Sequence, residues 1–155
     1  MINRILRWIA VCLLVCVAVT VFTGASQGRE AETVKELLLK RAHIIENVLY
    51  GRITYEEGCR QLGEVETDTL YKKDVQALLD YSRIDSAVTG KMEIMDLKRK
   101  SEVYDRASYE GKINRVENND GEMMRNTWLC EIGISKQGGK CRLISLKNSR
   151  QTKTY

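Results

Sequence analysis

The side chains with chemistry to offer are few and scattered. His43 is the sole histidine, and the thiols are Cys12, Cys16, Cys59, Cys130 and Cys141. Nucleophilic catalysis needs a thiol or hydroxyl beside a base, and acid–base work needs a titrating group aimed into a pocket. On a helix carrying Val34, His43 lies about 180° from the apolar stripe, which sends it to solvent. Glu56 and Glu57 are adjacent, so on a helix they project in different directions and complement its dipole. Glu93 and Asp96 are the carboxylates nearest a clear strand pattern, and solvated strand positions account for them. No Gly-rich phosphate loop, GxSxG or HExxH occurs. The sequence therefore nominates no catalytic, cofactor-binding or metal-ligating residue.

The thiols are equally unpromising. Cys130 alternates with Trp128, Ile132 and Ile134, which makes it an inert buried thiol rather than an exposed thiolate. Cys59, Cys130 and Cys141 are odd in number, and pairing Cys130 with Cys141 fails on register. If Gly138 and Gly139 form the turn, Cys141 opposes Lys136, and Cys130 lies ~20 Å further along the strand, past the ~7 Å Cα limit of a disulfide. No internal disulfide is expected, and no CxxC or nearby histidine offers a metal site. Arg41 is the odd residue, a cation inside an apolar helix stripe. Two readings stay open for it: a stem covering core surface with its head in water, or a buried partner for a carboxylate or ligand.

These residues need elements to hold them. From about Arg29, Val34, Leu37, Leu38, Ile44, Ile45, Val48 and Leu49 fall on one helical arc, and Gly51 supplies a left-handed cap. Thr54 with Glu57 is a capping box for a second helix to about Leu62. A third helix starts at Thr67 or Asp68, carries Val75, Leu78 and Leu79 inward and ends near Tyr81. The period then falls to two. Strands are expected at Lys91–Arg99, Ala107–Val116, Thr127–Lys136 and Lys140–Lys147, with turns at Asn118–Gly121 and Gln137–Lys140. Trp128 leads the inward face of the third strand. The first strand is irregular, because Met92, Ile94, Met95 and Leu97 break alternation. The sum is an α+β domain, about three helices on a curved four-stranded antiparallel meander.

The remaining segment says where the domain sits. From Trp8 to Gln27 there is no charge, and Arg4 and Arg7 precede the run. A helix through it spans ~30 Å, the thickness of a bilayer core, and the arginines hold its amino end in the cytoplasm. Residues 1–28 then form a cytoplasmic stub and signal anchor, residues 29–148 an extracytoplasmic domain, and 149–155 a frayed tail. Cleavage after Ala25, in Thr23-Gly24-Ala25, is the alternative and gives a secreted protein. Charged residues at 30% of the chain exclude a polytopic membrane protein. The formal net charge of +4 includes Arg4 and Arg7, so the rest is near neutral and lacks the concentrated basic face nucleic acid requires.

Helices followed by a meander ending in Gly139-Lys140-Cys141-Arg142-Leu143-Ile144-Ser145-Leu146 resemble the nuclear transport factor two-like, cystatin-like cone. There the last strand often begins Gly-Lys-Trp-x-Leu, and Cys141 stands at the tryptophan. Ile53-Thr54-Tyr55-Glu56-Glu57-Gly58 also looks like small membrane-anchored proteins of Gram-positive bacteria. The resemblance implies a periplasmic or extracellular assembly domain of the kind found in bacterial secretion and conjugation machinery. Its enzymes include isomerases and dehydratases, whose catalytic residues map to no position here. The expectation is a single-pass envelope protein, anchored through residues 8–27, whose outer domain is a non-catalytic module binding a protein partner or its own copies. The alternative is a cone holding an apolar small ligand, or an enzyme of another kind.

Overall fold

The periodic stretch after Gly28 is helix α1, residues 28–49, in a computed structural model that describes residues 28–81, 90–119 and 122–153. The chain divides into two compact units, Met1–Glu32 and Thr33–Tyr155, and the architecture below is that of the second. The expected membrane segment 8–27, with the alternative cleavage after Ala25, lies outside the described residues. Among those described, no helix is long and apolar enough to cross a membrane.

Local chemistry sets the helix ends. Val34, Leu38 and Ile44 of α1 are buried, and Leu37, Ile45, Val48 and Leu49 are half-buried beside them. Gly51, at φ 64°, closes the helix with its N–H on the Val48 carbonyl at 3.0 Å. Helix α2 spans Tyr55–Val65, and its Thr54 hydroxyl accepts the Glu57 N–H at 3.2 Å. It runs a turn past the expected Leu62 because Val65 is itself core, 1% exposed. Gly58 is where α2 meets α1: a Cβ there would overlap the Val48 side chain. Helix α3 spans Asp68–Tyr81. Its expected inward set of Val75, Leu78 and Leu79 needs correction. Leu70, Asp74 and Leu78 are buried, whereas Val75 and Leu79 are half-buried. A spacing of four puts Leu70, Asp74 and Leu78 on one stripe, and the aspartate in mid-stripe interrupts its apolar pattern.

The sheet is the expected meander: β1 (Gly90–Val103), β2 (Arg106–Asn119), β3 (Glu122–Ser135) and β4 (Arg142–Lys153), antiparallel and in chain order. Three helices packed on it make the domain α+β. β1 and β2 exceed their expected lengths at both ends, whereas β3 starts five residues early and ends at Ser135, one short of Lys136. Pairing of β2 with β3 runs unbroken from Arg106↔Ser135 to Asn119↔Glu122, so backbone hydrogen bonds carry the hairpin past its apolar positions. β4 likewise continues to Lys153, through the stretch expected to fray. The irregular first strand has a simple cause. A register shift between Ile94 and Asp96 makes Met95 a bulge. Ile94 is buried, Leu97 half-buried and Met95 57% exposed, so apolar residues three apart share a face.

The core side of the sheet carries Ile94, Ala107, Tyr109, Ile113, Cys130, Ile132, Ile134 and Leu143. Trp128, expected to be buried on this inward face, is only half-buried. It opposes Ile113 on β2 and Gln151 on β4, in the arm of the sheet remote from the β3–β4 connection. Tyr109 instead is the largest fully enclosed side chain, 1% exposed.

Candidate functional site

Arg41 resolves in favour of a carboxylate partner, and it has two. Its Nε donates to Glu66 Oε1 at 2.6 Å and to Asp74 Oδ2 at 2.7 Å, and a terminal nitrogen also meets Asp74 Oδ2. The three come from α1, the end of α2 and α3. The Glu66 side chain is wholly buried, Asp74 is 7% exposed and Arg41 17%. One guanidinium facing two carboxylates leaves a surplus negative charge in a dry site, which is costly. The chain resolves this by protonation. Burial, then the hydrogen bond and charge of Asp74, push the Glu66 carboxyl up to about 8 against the opposing pull of Arg41. A carboxyl raised that far favours a protonated Glu66, with which the cluster carries no net charge. Glu66 Oε2 has no hydrogen-bond partner among the described residues.

The backbone of Glu66 does further work. It is extended (φ −121°, ψ 163°) and bridges Leu143 of β4, while the Thr67 N–H donates to the Leu143 carbonyl at 2.9 Å. The cluster thus clasps three helices to the sheet at one point. With Glu66 wholly buried and Arg41 17% exposed, the cluster joins the three helices at their meeting point.

Thr67 opens onto a different place, since successive residues of an extended segment point to opposite sides. A cleft of about 80 Å³ is lined by Thr67, Ser135, Gln137, Lys140 and Arg142. It sits by the β3–β4 connection, where Gln137–Gly139 forms a short 3-10 turn and the Lys140 N–H donates to the Gln137 carbonyl at 3.1 Å. Arg106, Ser135 and Arg142 are successive cross-strand partners on β2, β3 and β4, so their side chains stand in a row on one face. Ser135 is 7% exposed. Among the described residues, Arg106, Lys140 and Arg142 have no ion pair.

The β1–β2 hairpin ends at this same end of the sheet. Val103 pairs with Arg106, leaving Tyr104 and Asp105 as the whole connection. Tyr104 has φ 55° and is 97% exposed, and Val103 is 61% exposed. The turn is tied down: the Lys136 N–H donates to the Asp105 carbonyl at 2.6 Å, and Lys136 Nζ meets Glu102 Oε1 at 2.5 Å.

The residues singled out from the sequence are not brought together. His43, Glu56, Glu93 and Asp96 are exposed, and Glu57 pairs with Arg60, which holds its carboxyl down to about 2. Among the described residues no disulfide joins Cys59, Cys130 and Cys141. Burial pushes the Cys130 thiol up, away from reactivity. Cys59 lies against the Tyr55 hydroxyl, whose pKa it raises. Cys141 precedes Arg142, which opposes Ser135, so Cys130 sits well up the strand from it, as register requires. Among the described residues no three His, Cys, Asp or Glu side chains gather as a metal site.

No family model matches the chain, and no curated protein does. Among solved structures it is similar to a de novo β-sheet design determined by solution NMR. That design is 10% identical over 80% of this chain and 89% of its own, with a TM-score of 0.45.

Proposed function

We propose that the chain is a single-pass envelope protein whose α+β domain binds a protein partner, without catalysis, through the sheet end that carries Tyr104. The observation behind it is Tyr104 itself. A non-glycine residue at φ 55° is uncommon, and a bulky one costs about 1 kcal/mol or more of strain. Two-residue hairpins ordinarily use Gly, Asn or Asp at such positions. Here an aromatic side chain stands 97% exposed and gains little within its own chain. Strain kept without internal return points to use elsewhere. A tyrosine on a turn fixed by Lys136 and Glu102 loses little freedom on binding, the property that makes tyrosine an interface anchor.

The charge-free run Trp8–Gln27 behind Arg4 and Arg7 supports the location, with the domain outside the cytoplasm. The helices-then-meander order keeps the nuclear transport factor two-like cone as the form this reading gives the domain. The cleft described above is lined by polar and charged side chains, which favours a binding surface over an apolar-ligand cone.

A photo-crosslinking side chain at position 104 of the full-length protein in intact cells tests the reading. A discrete adduct is expected, lost when Val103→Ser is added and absent when the crosslinker stands at Leu39 instead. Equal adducts at 104 and 39, or none at 104, overturn it. An adduct with a second copy of the chain identifies the partner as the protein itself.

A further inference from the structure

The cleft beside the Tyr104 turn has a chemistry of its own. Its wall holds two cationic side chains, Lys140 and Arg142, the Gln137 amide and the Ser135 hydroxyl, with Arg106 next in the row beyond Ser135. No carboxylate lines it. Asp68 accepts from the Thr67 hydroxyl at 3.5 Å, so Thr67 is not counted among the donors. Ser135 is 7% exposed, yet its hydroxyl has no hydrogen-bond partner among the described residues. The hydroxyl reaches the cleft surface, where it can donate to a bound group. Three unpaired cations around it name the sign of that group.

Size and charge narrow the choice. At about 80 Å³ the cleft holds one functional group rather than a whole ligand. Lys140 and Arg142 supply two positive charges, matching a dianion, whereas a carboxylate would leave one cation uncompensated. Arginine presents a fork of N–H donors to two oxygens of a tetrahedral group, and lysine adds a point charge. We propose that this cleft binds a phosphate group, with Arg142 and Lys140 neutralising it and Ser135 and Gln137 donating to its oxygens. The proposal rests on the reading of this end of the sheet as the recognition end and gives that end its ligand chemistry.

The test is titration of the full-length chain in maltoside micelles with inorganic phosphate, phosphoserine and acetate at constant ionic strength, followed by amide shifts of residues 135–142. Phosphate and phosphoserine should saturate with Kd on the order of 1 mM. Acetate should bind roughly tenfold more weakly. Lys140→Gln, on an exposed loop, and Arg142→Gln should each weaken phosphate by about tenfold, and Ser135→Ala by a smaller factor. Phosphoserine tighter than phosphate assigns the group to a larger ligand, and equal affinity assigns it to the free anion. Failure to saturate, acetate as tight as phosphate, or variants without effect overturns the proposal. Tyr104→Ala should leave the phosphate titration unchanged. Loss of phosphate binding while the position-104 adduct persists would therefore remove this inference and leave the protein-binding reading intact.

Discussion

At the scale of single residues, the protonated Glu66 makes stability depend on pH in an unusual direction. Most native carboxylates have lowered pKa values and stabilise as pH rises. Glu66 starts from 4.5 and is pushed up to about 8, so between those values the folded chain holds a proton that the unfolded chain has released. Stability from this group is full below about 4.5, falls as pH rises and levels off above 8, with a slope of at most ~1.4 kcal/mol per unit. The lowered carboxyl of Glu57 acts below its own 4.5, outside that window. Glu66→Gln keeps a donor toward Asp74 and has no proton to lose. Urea midpoints at pH 5, 6.5 and 8 should decline for the parent chain and stay flat for Glu66→Gln, which should be the more stable at pH 8. Parallel profiles would show Glu66 ionised throughout. Of this cluster the sequence marks Arg41 alone, because a cation in an apolar arc is visible from one helix. Glu66 and Asp74 are ordinary acids in their own segments, and only the meeting of three helices makes them its partners. The cleft was hidden for a related reason: Arg106, Ser135 and Arg142 are neighbours through register, not through spacing.

At the scale of elements, the hairpin between β1 and β2 trades stability for its exposed tyrosine. Tyr104→Gly relieves the left-handed backbone, and the released strain should outweigh the added chain entropy of glycine, since Gly is favoured where φ is positive. We expect a gain of about 0.5–1 kcal/mol in denaturant titration together with loss of the position-104 partner contact. A destabilised Tyr104→Gly would mean that the ring packs usefully within the chain. This turn went unread because Val103-Tyr104-Asp105 carries no Asn-Gly or Gly-Gly signal. The capping box at Thr54, the Gly51 cap and the alternation around Ile132 were legible because each is a local signal that local geometry obeys. Strand ends were not. Backbone pairing extends through Asn118, Asn119 and the polar run beyond Lys147, where side chains no longer report the sheet. Trp128 lies less deep than its alternation suggests for a matching reason: alternation names the face of a strand, but not how far along it the helices reach.

At the scale of the whole molecule, the order of segments decides which compartment the recognition end meets. The clasp at Arg41 lies in the helix that follows the apolar run closely in sequence. If Arg4 and Arg7 hold the amino end inside, Tyr104 and the phosphate cleft face outward and can meet envelope components but not cytoplasmic ones. With epitope tags at both ends, protease added to intact cells, their outer layers opened where present, should remove the carboxy-terminal tag. The amino-terminal tag should survive until the membrane is lysed. Mass measurement of the mature chain separates an anchor from cleavage after Ala25, because the cleaved form begins at Ser26 and leaves the membrane fraction. Digestion of both tags only after lysis would put the domain in the cytoplasm, and the envelope reading would fall. The phosphate cleft would survive that result, since its donors are fixed by β-sheet register whichever side of the membrane they face.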